Sequence, residues 1–171
     1  MSETSPRHEL VRQWWYEWIK QERNHSGKKN SADRANLRRA KEPWEIVMIP
    51  AFHDLVLQVR DSSAGVEDNI WVCWLAHILA WVEENDPRSM GEILAKAEVS
   101  ESRFKRLLQS QTVGELATQM QRILQQSEHS ASIKDLVNAF CDWRSPQNRE
   151  KIRHTWAFAY YQHLPKNKEN K

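Results

Sequence analysis

The stretch from Ile70 to Val82 (IWVCWLAHILAWV) is the longest apolar run in the sequence, and it decides the expected fold. Its 13 residues are too few to cross a bilayer as a helix. A helix that is apolar all round is typical of a protein core. Asn69 stands where it can cap such a helix, so we predict a buried helix over residues 70–84. His77 interrupts the run, and we interpret it as a hydrogen-bonded core residue rather than a catalytic base.

Outward from this run, apolar residues recur at intervals of three and four, while sustained alternation with period two is absent. The sequence holds only 4 glycines, which disfavours folds built on tight turns and phosphate-binding loops, because glycine supplies the positive φ angles that these require. We therefore predict an all-α protein of two helical bundles. Residues 1–86 form the N-terminal bundle and residues 87–171 the C-terminal bundle.

The aromatic composition is unusual, with 9 tryptophans against 3 tyrosines and 4 phenylalanines. Most of the tryptophans lie on apolar helical stripes, which predicts that they belong to the core. A stacking platform for unpaired bases would need exposed tryptophans beside basic groups. Only Trp15 and Trp44 are candidates for that role.

The cysteines and the N-terminal residues indicate the cellular compartment of the protein. Cys73 and Cys141 form no metal-binding or disulfide motif, which indicates a reducing, cytoplasmic setting. Residues 1–7 have no apolar stretch, so we expect no signal peptide. We expect no association with membranes.

The net charge of +2 conceals a strong separation along the chain. Residues 20–41 carry a net charge of +6, residues 42–98 carry −8, and residues 99–171 carry +5. Two basic regions bracketing an acidic one indicate a protein that offers one face to anions. The acidic segment is then a candidate docking surface for neighbouring proteins.

The sharpest basic element is DRANLRRAK, residues 33–41. On a helix Arg34, Arg38 and Lys41 form one stripe, while Leu37 and Ala40 hold the opposite face to the core. Guanidinium groups bind phosphate oxygens in pairs, which suits contact with a nucleic-acid backbone without base readout. The alternative is an ordinary solvated helix surface. On charge alone, we also predict that Lys28, Lys29, Lys41 and Arg106 bind nucleic acid.

Signatures of catalysis are missing: the sequence has neither a zinc-binding HExxH helix nor a GxSxG nucleophile elbow. We predict no catalytic residues, no metal site and no cofactor. One rival is an RNA- or DNA-processing enzyme with metal-dependent turnover that uses Glu83, Glu84 and Asp86. A second rival is a freestanding helix-turn-helix regulator that uses residues 90–108, where Glu98 occupies the turn position that usually holds glycine.

Several motifs together resemble a known family. The segment RANLRRA (residues 34–40) is followed by Pro43 and then by IPAFHDL (residues 49–55). Further matches are the SRF segment at residues 102–104, which continues to Leu108, and the region 143–160. This combination resembles the small subunit (CasB family) of the type I-E CRISPR Cascade surveillance complex.

The resemblance implies an all-helical, non-catalytic protein that stabilises target DNA and the R-loop in antiviral defence. Its partners would be crRNA, target DNA, the large subunit, the backbone subunits, and a second copy of the chain arranged head to tail. The family's basic positions fall on Arg34, Arg38, Arg39 and Arg103. Together with the residues added on charge, the predicted nucleic-acid-binding set is Lys28, Lys29, Arg34, Arg38, Arg39, Lys41, Arg103 and Arg106.

Overall fold

A computed structural model describes residues 6–20, 29–59 and 69–166, and most of these residues lie in helices. The prediction of an all-α protein is confirmed. In chain order the helices are α1 (Arg7–Trp15), which continues as a π-helical turn over Tyr16–Lys20, α2 (Lys29–Arg39), α3 (Pro43–Val47), α4 (Pro50–Val59), α5 (Ile70–Leu79), α6 (Met90–Lys96), α7 (Glu101–Leu108), α8 (Val113–Leu124), α9 (Ile133–Asp142) and α10 (Pro146–His163). Two short strands, β1 (Glu84–Asn85) and β2 (Ser130–Ala131), pair in parallel.

Helix α5 lies in the middle of the core, as its apolar sequence predicts. From Trp71 to Leu79 its side chains are buried, with Trp74 half-buried. Helices α2, α3, α4, α8 and α9 all pack on it. Inside it, His77 Nδ1 donates to the carbonyl of Leu37 at 2.7 Å, and its Nε2 lies 3.3 Å from the amide oxygen of Gln121. The interpretation of His77 as a hydrogen-bonded core residue is confirmed.

The end of α5 differs from the prediction. The helix stops at Leu79 rather than at residue 84. Beyond it the chain turns toward β2, where the N–H of Glu83 donates to the carbonyl of His129 at 2.9 Å and β1 pairs with β2. The helix ends early because this segment finds its hydrogen-bond partners in a distant part of the chain.

One core joins the two halves of the chain. Buried side chains on both sides of Asp86 belong to a single apolar cluster. Helix α1 packs on α9, and α5 packs on α8 and α9, so helices from before and after residue 86 share that core. The division into two bundles at this point stays a prediction.

Helices α6 and α10 pack closely against each other, and this contact depends on Gly91. A Cβ placed on Gly91 would lie 2.2 Å from the carbonyl oxygen of Trp156, so only a hydrogen fits there. Nearby, Tyr160 on α10 stacks on Phe104 of α7 with ring centroids 4.0 Å apart. The Tyr160 hydroxyl donates to the carbonyl of Val99 at 2.5 Å. These contacts fix α6 and α7 against the last helix.

The tryptophans are mostly core, with one correction to the prediction. Trp15, a candidate for base stacking, is only 5% exposed and donates its indole N–H to the carbonyl of Val82 at 3.1 Å. Trp44 is 68% exposed, as that role would require.

Burial raises the pKa of the Cys73 thiol to about 11, which makes it unreactive at neutral pH. Within the described ranges, no helix has the length and apolar character that crossing a membrane requires.

Candidate nucleic-acid interface

Helix α2 carries the predicted basic stripe, and its apolar face is seated as expected. Leu37 is fully buried and Ala40 is 8% exposed. Two arginine side chains of the stripe point toward the protein interior instead of toward solvent. Arg34 and Arg38 donate their Nε–H groups to the same main-chain carbonyl, that of Ala80, at 3.2 and 2.7 Å.

The same two guanidinium groups lie beside an acid and an aromatic ring. Their Nη2 atoms are 3.8 and 3.6 Å from one carboxylate oxygen of Glu83. The guanidinium carbon of Arg38 is 5.0 Å from the centre of the Trp81 ring, a cation–π distance. Part of the positive charge of Arg34 and Arg38 is therefore balanced inside the molecule.

Together these contacts form a cap on the end of α5. The last carbonyls of a helix have no partner within it, and they attract cations and N–H donors. The carbonyl of Ala80 accepts hydrogen bonds from the two arginines, and the carbonyl of Val82 accepts one from the indole of Trp15. Lys20 Nζ donates to the carbonyl of Glu83 at 2.8 Å and pairs with the carboxylate of Glu84 at 2.5 Å. We call Lys20, Arg34 and Arg38 with residues 80–84 the α5 cap.

The remaining basic residues at this end of the sequence divide into two groups. Arg39 and Lys41 are exposed. Arg39 bonds to the side-chain oxygen of Asn36 at 2.8 Å, and no carboxylate among the described residues pairs with it. Lys28 lies outside the described residues, and Lys29 begins α2 but its side chain is not described. Arg39 and Lys41 are thus the α2-end cations whose described side chains face solvent.

Two further predicted residues, Arg103 and Arg106, lie together on α7 and close to a third arginine on α8. Arg103 and Arg106 are exposed and line a cleft of about 330 Å³ between the two helices. Arg122, one of the later basic residues of the sequence, lines the same cleft and is also exposed. The structure therefore brings Arg103, Arg106 and Arg122 together, and we call them the arginine cleft.

Two arginines of α10, Arg149 and Arg153, bond to main-chain carbonyls of the α7–α8 connection. Arg153 donates to the carbonyl of Leu108, at the end of α7, at 2.6 Å and to that of Ser110, just beyond it, at 3.2 Å. Arg149 donates to the carbonyl of Gln111 at 2.8 Å. Both stabilise the α7–α8 connection, as Arg34 and Arg38 stabilise the end of α5.

The acidic residues that suggested a metal-dependent RNA- or DNA-processing enzyme pair with separate cations. Glu83 faces Arg34 and Arg38, and Glu84 pairs with Lys20. Asp86 makes a two-pronged pair with the guanidinium of Arg88, at 3.0 and 2.6 Å. These hydrogen bonds lower the pKa of Asp86. In the described part of the chain, no three acidic, histidine or cysteine residues are grouped so as to hold a metal ion.

The turn between α6 and α7 has a helix-turn-helix character. Glu98 has a φ of 57°, the left-handed conformation that glycine usually provides. Its N–H donates to the carbonyl of Ala95 and that of Val99 donates to Leu94, both at 3.1 Å, which is the Schellman pattern of a helix end. Ser100 then caps α7 by accepting from the N–H of Arg103 at 3.4 Å. The chain forms this turn without the glycine.

Residues 33–161 match the family model of the CRISPR-associated protein Cse2. A chain in a crystal structure of E. coli Cascade bound to a PAM-containing double-stranded DNA target has a similar fold. The TM-score is 0.63 at 17% sequence identity, and the match covers 94% of this chain and 99% of that one. At this identity the structural likeness shows a common fold. No curated protein matches the chain in sequence.

Proposed function

The chain belongs to the CRISPR-associated Cse2 family, and from this membership we propose that it is the small, non-catalytic subunit of a type I-E CRISPR Cascade complex. The family match over residues 33–161 carries the proposal, and the similar chain in a DNA-bound Cascade supports it. The partners would be crRNA, target DNA, the large subunit and the backbone subunits, in the cytoplasm.

The proposed role is to stabilise the R-loop through backbone charge. In guide-directed recognition, base pairing reads the sequence, and exchange of the DNA duplex for the RNA–DNA duplex is nearly balanced in free energy. Modest contacts to phosphates can therefore decide whether the open state persists. Exposed Arg39, Lys41, Arg103 and Arg106 are the predicted residues best supported for this contact by their exposure. Arg34 and Arg38 would contribute a charge that Glu83 already partly balances.

The isolated protein should then bind nucleic acid weakly and with little sequence preference. Each phosphate contact releases condensed counterions, so affinity should fall steeply as salt rises. The arrangement around Arg103 and Arg106 offers cations to a backbone and does not resemble a base-reading surface, because Glu101 stands on the same short helix.

We also propose that a second copy binds head to tail, and two dissimilar exposed surfaces support this. On α3 and at its end, Trp44, Val47 and Met48 expose apolar side chains, at 68%, 40% and 76%, in a helix that also carries Glu42 and Glu45 at its start. The other surface is a groove of about 560 Å³ between α7 and α10. It combines apolar and basic side chains: Lys105, Leu108, Arg153, His154, Ala157 and Phe158.

The first surface carries two carboxylates, the second carries Lys105 and Arg153, and both contain exposed apolar side chains. Tryptophan and methionine are enriched in protein interfaces. A contact between two different patches is heterologous, and it orients successive copies in the same direction. Native mass spectrometry of the reconstituted complex should count two copies of the wild-type chain. Trp44→Ser should reduce that count, whereas Tyr16→Ser, which removes an exposed aromatic from another helix, should not.

The experiment that tests the main proposal is affinity purification of the tagged chain from its native host. We expect a short RNA of defined length and several larger proteins to co-purify. Recovery of the chain alone, from cells that express the other subunits, would contradict the proposal.

A second candidate is the freestanding helix-turn-helix regulator, which is favoured by the left-handed turn at Glu98 between α6 and α7. It predicts tight binding of the isolated chain to a defined duplex at physiological salt. Selection from random duplexes distinguishes the two candidates. A regulator would recover one site, lost on substitution of Arg103 and Lys105, and a Cascade subunit would recover none.

A further inference from the structure

The first helix of the chain changes its winding at its C-terminal end. Helix α1 runs from Arg7 to Trp15 and continues as one π-helical turn over Tyr16–Lys20. Such turns, in which N–H groups bond to carbonyls five residues earlier instead of four, are rare. This one has the sequence YEWIK and contains neither proline nor glycine, so nothing in its own sequence breaks an α-helix. The cause of the wider winding therefore lies in its tertiary contacts.

Those contacts involve two side chains that are five residues apart. The indole N–H of Trp15 donates to the carbonyl of Val82 at 3.1 Å. Lys20 Nζ donates to the next carbonyl, that of Glu83, at 2.8 Å. In an α-helix, residues five apart point about 140° away from each other. A π-helical turn places them nearly one above the other, because its hydrogen bonds span five residues. The wider winding thus lets both side chains reach neighbouring carbonyls of the α5 cap.

The sequence of this segment by itself favours the α-helical winding. An unbroken α-helix would place four apolar residues within about 100° of its circumference: Val11, Trp14, Trp15 and Trp18. This is the apolar stripe of a helix that packs on a core. Lys20 would then project from the opposite side. In the structure Trp18 is only half-buried, while Lys20 reaches the α5 cap. Burial of Trp18 and the contacts of Lys20 therefore compete for the winding of the same turn.

From this competition we propose that residues 16–20 are a register switch. The turn is π-helical while Lys20 holds the α5 cap, and it becomes α-helical, with Trp18 turned toward the core, once Lys20 is released. Lys20 also pairs with the carboxylate of Glu84, and the two side chains are 37% and 67% exposed. An anionic group from solution therefore has access to the Lys20 ammonium and competes with Glu84 for it. Helix α2 packs directly on the π-helical turn, so a change of winding reaches α2.

The experiment identifies the hydrogen-bond acceptor of one main-chain amide in the full-length chain. In the π-helical winding the N–H of Lys20 donates to the carbonyl of Trp15, and in the α-helical winding it donates to that of Tyr16. NMR couplings through the hydrogen bond show which carbonyl accepts. Two variants are compared with wild type. Lys20→Met keeps an unbranched side chain and a similar helix propensity but loses the ammonium group, whereas Lys20→Arg keeps a cationic donor.

In wild type and in Lys20→Arg we expect the coupling to the Trp15 carbonyl. In Lys20→Met this coupling should be lost and a coupling to the Tyr16 carbonyl should appear. At the same time the indole N–H of Trp18 should become less accessible to a soluble paramagnetic probe. A Lys20→Met chain that keeps the Trp15 coupling would overturn the proposal, and so would a wild-type chain that shows the Tyr16 coupling. A change of acceptor without protection of Trp18 would also overturn it, since burial of Trp18 is the force that favours the α-helical winding.

Deletion of Glu17, an exposed residue of the turn, provides a second test if Lys20→Met does not fold. It leaves Trp15 and Lys20 four residues apart, so that both lie on the same face of an α-helix. We expect this variant to show α-helical couplings throughout α1 and a midpoint of thermal unfolding at or above that of wild type, because both contacts with the α5 cap are kept without the rarer winding. A π-helical coupling in the deletion variant, or a lower midpoint, would show that other contacts impose the winding and would overturn the proposal.

Discussion

Arg38 donates its Nε–H to the main-chain carbonyl of Ala80 at 2.7 Å, across 42 residues of sequence. A side chain expected to face phosphates thus caps the end of a core helix. Its neighbour Arg39 is exposed and donates to the side chain of Asn36, one turn away. Adjacent arginines in one motif therefore have separate roles, and substitutions can separate them.

We expect Arg38→Ala to lower the free energy of unfolding by about 1–3 kcal/mol, because it leaves a part-buried carbonyl with one donor fewer. Arg39→Ala is the matched control and should leave stability within about 0.5 kcal/mol of wild type. Urea denaturation of the two variants checks this. Equal stabilities would show that the cap contributes nothing.

Glu83 competes with phosphates for Arg34 and Arg38, so Glu83→Gln should raise the affinity of the chain for single-stranded DNA several-fold. Glu84→Gln is the control, since it changes the net charge equally but frees only Lys20. Fluorescence anisotropy with a labelled oligonucleotide measures both. The same gain in both variants would mean that overall charge, and not release of the arginines, controls binding.

Gly91→Ala should destabilise the protein by about 1–3 kcal/mol, as overpacking does in well-packed cores. The new methyl group would meet the backbone of α10, which cannot move aside. Gly114→Ala provides the comparison, because its Cβ would lie 3.4 Å from the nearest atom of Trp74, close to an ordinary contact. Thermal unfolding should show a loss for the first variant and little change or a slight gain for the second.

Glu98→Gly should stabilise the protein by up to about 1 kcal/mol, since glycine adopts the left-handed conformation without steric cost. Glu98→Ala removes the same carboxylate but keeps the Cβ, so it should give no gain. A stabilisation shared by both variants, measured by denaturant unfolding, would assign the effect to charge instead of backbone conformation.

The ion pair of Asp86 makes the stability of the protein depend on pH. The hydrogen bond from Arg88 is the largest of the effects that lower its folded-state pKa. The ionised Asp86 therefore makes its full contribution to the free energy of unfolding above the unfolded-state pKa of about 3.9. This contribution is lost as the pH falls through the lower folded-state pKa. Asp86→Asn should be less stable than wild type at pH 7, and the difference should close below about pH 4.

Exposed Asp54 supplies the control for this series. Asp54→Asn should follow the wild-type stability curve across the same pH range. A difference between wild type and Asp86→Asn that stays constant down to pH 2 would contradict the assignment of the ion pair.

The sequence by itself determined the helices and most of the core. Apolar spacing of three and four placed Leu37 and Ala40 inward, because burial of an amphipathic face depends on local periodicity. The run from Ile70 supplied the buried helix because it is apolar on all sides. The same run predicts that His77 is a core residue, and its burial confirms this. The motifs of residues 34–40 and 49–55 were sufficient to indicate the family.

Only the tertiary structure decided which charged groups are available. Whether Arg34 and Arg38 reach a phosphate or a carbonyl depends on the helix end that lies across from them, 42 to 46 residues away. Trp15 is buried because the fold brings the carbonyl of Val82 to its indole N–H. Arg122 lies beside Arg103 because α8 packs on α7. Long polar side chains take their partners from whatever the packing brings within reach, and a local sequence pattern does not contain that information.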